Sequence, residues 1–104
     1  MTDRLTKLEQ MLAADPSDAD LPYMIALEHM NAEDFDTAIT WLDKTLALDA
    51  HYHYAYFQKA KALSELGDDM AALEVLADGI AKATHDGDAK AMGELNELRA
   101  MMSQ

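Results

Sequence analysis

Cysteine is absent from this 104-residue chain, which excludes a disulfide framework and thiolate chemistry. Proline occurs twice and glycine four times, too seldom for a low-complexity or disordered composition. β-Branched aliphatic residues are scarce: valine appears once, at Val75, and isoleucine at Ile25, Ile39 and Ile80. Alanine, leucine and methionine supply most of the apolar half of the chain, a balance that favours helix over strand. No apolar run approaches the roughly 20 residues needed to span a bilayer. The opening MTDRLTKLEQ is too charged for the apolar region of a signal peptide, so a cytoplasmic protein is expected.

Basic side chains are the other shortage. Twenty acidic residues, thirteen Asp and seven Glu, face eight Lys and Arg, leaving a formal net charge of −12. Such a chain repels the nucleic-acid backbone and anionic membranes, so neither is expected as a partner. The excess fits a surface that recognises basic partners, or one adapted to a salt-rich cytosol where screening relieves self-repulsion. Its even spread along the chain favours salt adaptation or solubility.

What is present is a repeat. Displaced by 34 residues, the sequence overlies itself without a gap: Ala26 falls on Ala60, Asp34 on Asp68, Ala38 on Ala72, Leu42 on Leu76 and Ala47 on Ala81. Tyr23 meets Phe57, Ile39 meets Leu73, and Leu46 meets Ile80. The same offset lays LEQMLAADP (8–16) over LDKTLALDA (42–50). The expected organisation is one domain: a half-unit at 1–16, full units at 17–50 and 51–84, and a capping segment at 85–104.

Each full unit reads as two helices. The first pair is predicted at about 21–32 and 35–48, separated by the acidic turn Glu33-Asp34. The second is predicted at about 54–66 and 69–83, with Gly67 closing one helix and Asp68 capping the next. A helix over about 2–14 precedes them and ends at Asp15-Pro16, because proline disfavours helix in the residue before it. A last helix follows Asp86-Gly87-Asp88 and places Ala91, Leu95, Leu98 and Met102 on one stripe. A helix apolar on one side only suits the end of an array.

The repeat length, the helix-turn-helix unit and these anchors resemble the tetratricopeptide repeat family, over about residues 4–84. Ala26 and Ala60 match its small residue in the first helix, Ala38 and Ala72 its alanine in the second, and Leu42 and Leu76 the large apolar residue four places on. Phe35 and Tyr56 match its aromatics, and Pro16 its closing proline. Pro22 stands in place of the family's tryptophan, Asp69 in place of the turn aromatic, Lys59 in place of an apolar residue, and Ala50 and Thr84 in place of the proline. The resemblance implies an all-α fold, a short right-handed α-solenoid of antiparallel helix pairs.

Chemistry is thinly represented. His51 and His53 flank Tyr52, but an i, i+2 spacing turns two helical side chains apart, while His29 and His85 stand alone; no metal site is expected. Asp34-Phe35-Asp36 and Asp68-Asp69 lack the glycine and closing glutamate of a calcium loop and read as helix-start acids. No phosphate-binding glycine loop or nucleophile elbow is found, so neither catalysis nor a cofactor is expected. The eight methionines read mostly as core and end filler. Trp41 is expected to pack against the next helix, with ligand stacking as the alternative.

The resemblance also implies a concave groove lined by the first helices of successive units. By position its faces are Tyr23, Met24, Leu27 and Met30, then Tyr54, Phe57, Gln58, Lys61 and Glu65, with Ala91 and Leu95 from the final helix. Such a groove suits an amphipathic helix or an extended peptide. The family's carboxylate clamp for acidic C-terminal tails uses Lys, Arg and Asn. The matching positions here read Tyr23, Leu27 and Gln58, with Tyr54 ahead of the last, so a chaperone-tail adaptor of that type is not expected. Two readings follow: an adaptor or scaffold for a protein or peptide partner, or a homo-oligomer that assembles through its groove.

Overall fold

A computed structural model describes residues 2–103, so Met1 and Gln104, the outermost residues of the expected units, lie outside the described residues. Six helices follow in chain order: α1 Thr2–Ala14, α2 Asp20–Asn31, α3 Phe35–Leu48, α4 His53–Glu65, α5 Asp69–Asp86 and α6 Ala89–Met102. No strand occurs among the described residues. Each helix packs on the next, and α4 also touches α6 across α5. The first helices of successive units therefore share one side of the molecule.

The helix ends have local causes. After α2, the Asp34 N–H donates to His29 O at 2.9 Å and the Glu33 N–H to Met30 O at 3.0 Å. After α4, the Asp68 N–H donates to Leu63 O at 2.9 Å and the Gly67 N–H to Ser64 O at 2.9 Å. Both are Schellman closures, which need a left-handed residue at the turn. The sequence predicts an end for α5 near Ala83, but the helix continues to Asp86, because its closing left-handed residue is Gly87 at φ 70°. Asp68 and Asp88 cap α5 and α6 by accepting from the Ala71 and Ala91 N–H groups. Asp34 holds the same position before α3 without such a bond, and its carboxylate lies 3.7 Å from His29 Nδ1 instead. Pro22 falls in the first turn of α2, where its missing N–H costs no helical bond, and it is fully buried.

Three clusters form the core. Leu8, Leu21 and Ile25 join α1 to α2; Ala26, Leu42 and Ala55 lie where α2, α3 and α4 meet. Ala60, Ala72, Leu76, Ala83, Ala91, Leu95 and Leu98 join α4, α5 and α6. The six repeat anchors, Ala26, Ala38, Leu42, Ala60, Ala72 and Leu76, are all fully buried. Each buried leucine contributes roughly 1.5–3 kcal/mol, while the alanines let helix axes approach closely. Trp41 packs against both the α1–α2 cluster and the cluster where α2, α3 and α4 meet. Lys44 Nζ lies 4.2 Å from its ring centroid. Thr45, the one buried polar residue among those described, donates its hydroxyl to Trp41 O at 3.0 Å.

Candidate functional site

Three hollows lie along α2, α4 and α6. Leu27 and Met30 of α2 and Gln58, Lys61 and Glu65 of α4 line a hollow of ≈ 340 Å³, with Glu33 from the turn after α2 and Phe35 from the start of α3. Lys61 and Glu65 also line the next hollow, of ≈ 400 Å³, with Leu98, Met101 and Met102 of α6. Leu98 and Met101 continue into a third, of ≈ 270 Å³, with Phe57, Glu94 and Glu97. The three therefore run into one another through common side chains.

The groove residues named from the sequence are placed unequally. Leu27, Met30, Gln58 and Lys61 meet in the first hollow, and Phe57 lines the third while resting on the core. Tyr54 donates its hydroxyl to Glu94 Oε1 at 3.2 Å, tying α4 to α6. Tyr23 lies against Tyr52, with ring centroids 4.8 Å apart. Met24 packs on the α1–α2 cluster instead of lining any of these hollows. Ala91 and Leu95, the expected contribution of α6, are buried in the core. Glu94, Glu97 and Met101, spaced three and four positions apart on a neighbouring face of α6, line the third hollow in their place.

Charge in the groove is uneven. Among the described residues, Glu33, Glu65, Asp69, Glu94 and Glu97 line it, against the single cation Lys61. Lys61 Nζ sits 5.7 Å over the Phe57 ring, whereas Lys59 on the same helix pairs with Asp43 at 2.7 Å. Burial raises the Tyr54 phenol above its ordinary value, and the bonded Glu94 carboxylate raises it further. Burial likewise raises Tyr23, with Gln58 offsetting part of the rise.

This arrangement of helix pairs recurs in solved proteins. A protein from Bordetella parapertussis, solved in solution, superposes with a TM-score of 0.84 over 95% of this chain and 86% of its own, at 27% identity. A tetratricopeptide repeat domain protein from Salinibacter ruber does so with a TM-score of 0.77 over 85% of this chain and 89% of its own, at 25% identity. The fold is that of the tetratricopeptide repeat. The TPR2B domain of yeast Sti1, solved in a complex with pHsp70, shares the tetratricopeptide fold with a TM-score of 0.89, covering 96% of this chain and 80% of that one, at 24% identity. No family model and no curated protein matches the sequence. Among the described residues, no helix of this tetratricopeptide array is long and apolar enough to cross a membrane.

A second constellation, away from the groove, escaped sequence reasoning. His51 precedes α4 and His53 is its first residue, so the helical i, i+2 geometry does not govern them. Asp86, at the end of α5, accepts from both: its Oδ2 lies 2.8 Å from His51 Nδ1 and 2.6 Å from His53 Nε2. His53 Nδ1 faces Asp88 Oδ2 at 3.2 Å. The imidazole bonds hold the Asp86 carboxyl below its ordinary 3.8, and the Ala91 N–H does most to lower Asp88. One signal was legible: His51 and His85 stand 34 residues apart, at one position of the repeat. Stacked units bring their rings to 6.1 Å.

Proposed function

We propose that this chain is a protein-binding module that holds an amphipathic helix or extended peptide along α2, α4 and α6. The observation that carries this reading is the run of hollows from Leu27 and Met30 to Leu98 and Met101, in which exposed apolar side chains stand among carboxylates. Apolar side chains exposed in hollows of this kind accept those of a partner, and methionines adapt to its shape. The TPR2B domain of yeast Sti1, captured with pHsp70, is a precedent for partner binding on this fold. The acidic rim selects a ligand whose apolar anchors alternate with lysine or arginine, since opposite charge across an interface gives specificity and fast association. Lys61, the lone cation, orients that ligand by excluding a basic group from its own end.

A second copy of the chain is a poorer occupant. It brings another −12 charges against an acidic rim.

Selection from a random peptide library tests the reading. Ligands enriched on the wild-type protein should combine apolar and basic residues. Leu27→Lys should weaken them by about tenfold or more, as expected for loss of an apolar anchor, with helicity and melting unchanged. Enriched ligands indifferent to Leu27→Lys and to Met30→Lys would place the binding surface elsewhere. Concentration-dependent mass that is abolished by the same substitutions would establish self-association in place of peptide binding.

A further inference from the structure

We propose that His51, His53 and Asp86 bind a divalent transition-metal ion of the zinc class, clamping the turn before α4 to the turn after α5. One ligand atom from each of the three residues lies within 4.8 Å of the others. Around a tetrahedral zinc, with bonds near 2.0–2.2 Å, neighbouring ligand atoms stand about 3.4 Å apart. The separations of 2.8 Å and 2.6 Å from Asp86 Oδ2 must therefore open by less than about 1 Å. The freedom to do so is present, because His51 is exposed and lies outside any helix. Without an ion, the Asp86 carboxylate bridges the two imidazoles; an ion would take that bridging place.

The donor set decides the class of ion. Two imidazole nitrogens and one carboxylate oxygen suit zinc and its first-row neighbours, whereas magnesium and calcium require oxygen throughout. Three protein ligands leave a fourth position for water or for His85, whose ring is 6.1 Å from that of His51.

The surroundings are those of a built site. A histidine that ligates through one nitrogen ordinarily donates the other N–H to a carboxylate, which fixes its orientation and strengthens it as a ligand. His53 has that partner in Asp88, 3.2 Å from Nδ1. Asp88 is itself fixed as the α6 cap, since one of its oxygens accepts from the Ala91 N–H at 3.0 Å. On the other side, the His51 backbone N–H donates to Asp49 Oδ1 at 2.9 Å, which holds the entry to α4. His53 is mostly covered, with 11% of its side chain exposed, and Asp86 remains reachable from solvent at 27%. The ion would join two turns 35 residues apart and fasten the last helices to the array.

Equilibrium dialysis of the full chain against zinc alone, near neutral pH, tests the proposal. Wild type should take up about one ion per chain and melt at a higher temperature with zinc but not with magnesium. His53→Ala should lose the ion, Asp88→Ala should bind about tenfold more weakly, and His29→Ala should bind as wild type. Histidine side-chain nitrogen NMR of the wild-type protein provides a reading that does not depend on any variant folding. Zinc should shift His51 and His53 and leave His29 unmoved. No uptake at about 100 µM zinc, or side-chain shifts that spare His51 and His53, overturns the site. So does unchanged binding in His53→Ala.

Discussion

Glu33 and Gly67 occupy the same place in consecutive units, 34 residues apart, and both hold a left-handed backbone, at φ 58° and 85°. Each closes a first helix with the same pair of backbone bonds, so the turn geometry is demanded by the repeat and not by the residue. Glycine adopts it freely. Glutamate does so at a cost of about 1–2 kcal/mol, because its Cβ crowds the following carbonyl.

Glu33→Gly should therefore stabilise the protein, by about 0.5–1 kcal/mol once the greater freedom of glycine in the unfolded chain is subtracted. Denaturant unfolding measures it directly. A variant less stable than wild type would show that the Glu33 side chain makes a contact worth more than the strain.

Gly79 marks a close approach of α5 to α4. A Cβ built there would lie 2.7 Å from Tyr56 Cβ and 3.0 Å from Tyr56 Cγ. Those atoms sit at the root of the side chain, so no rotation of the ring relieves the clash and α5 must move away from α4. Gly79→Ala is predicted to cost about 1–3 kcal/mol despite its higher helix propensity. Gly93→Ala, with nothing within 4 Å of the added carbon, should be stabilising by up to about 1 kcal/mol. Equal effects at the two positions in chemical denaturation would refute the close approach.

All four tyrosines, Tyr23, Tyr52, Tyr54 and Tyr56, have phenols raised above the ordinary 10.0, with burial as the largest cause in each. Tyr52 is raised furthest, and its hydroxyl also donates to Asp20 Oδ1 at 2.7 Å. A raised value means that the folded state holds the proton more firmly than the unfolded chain does. The associated stability is complete below pH 10 and is lost as pH climbs through the raised values. Tyrosinate absorbance should therefore stay low through pH 10 and appear together with loss of helicity. Ionisation of these phenols near pH 10 in a chain that remains helical would contradict their burial.

Added salt should stabilise this protein. Among the described residues, only Arg4–Glu28 and Lys59–Asp43 pair a lysine or arginine with a carboxylate, against a net charge of −12. Exposed pairs of this kind contribute about 0–1 kcal/mol each, so screening removes little attraction and relieves much repulsion. The melting temperature is expected to rise steadily from low to molar potassium chloride. A flat or falling curve would disprove the claim that self-repulsion is a substantial term.

The six helices and their anchors were legible in the sequence because their causes are local or periodic. Pro16, Gly67 and Gly87 mark turns through their own backbone preferences, and an offset of 34 aligns Ala26 with Ala60 and Leu42 with Leu76 wherever the units pack. All of these anchors are buried. The details of the groove depended on more than period. The family resemblance put Ala91 and Leu95 on the groove side, whereas the crossing of α6 over α4 and α5 turns them into the core and presents Glu94, Glu97 and Met101. Met24 was likewise drawn to α1, whose leucines supply the apolar surface beside it. Spacing marked only the equivalence of His51 and His85, not the histidine–aspartate cluster itself. Its members lie close only because stacked units place the start of α4 beside the end of α5, joining residues 35 apart in the chain. A repeat fixes which residues are equivalent; the rise and rotation between units decide which side chains of different units touch.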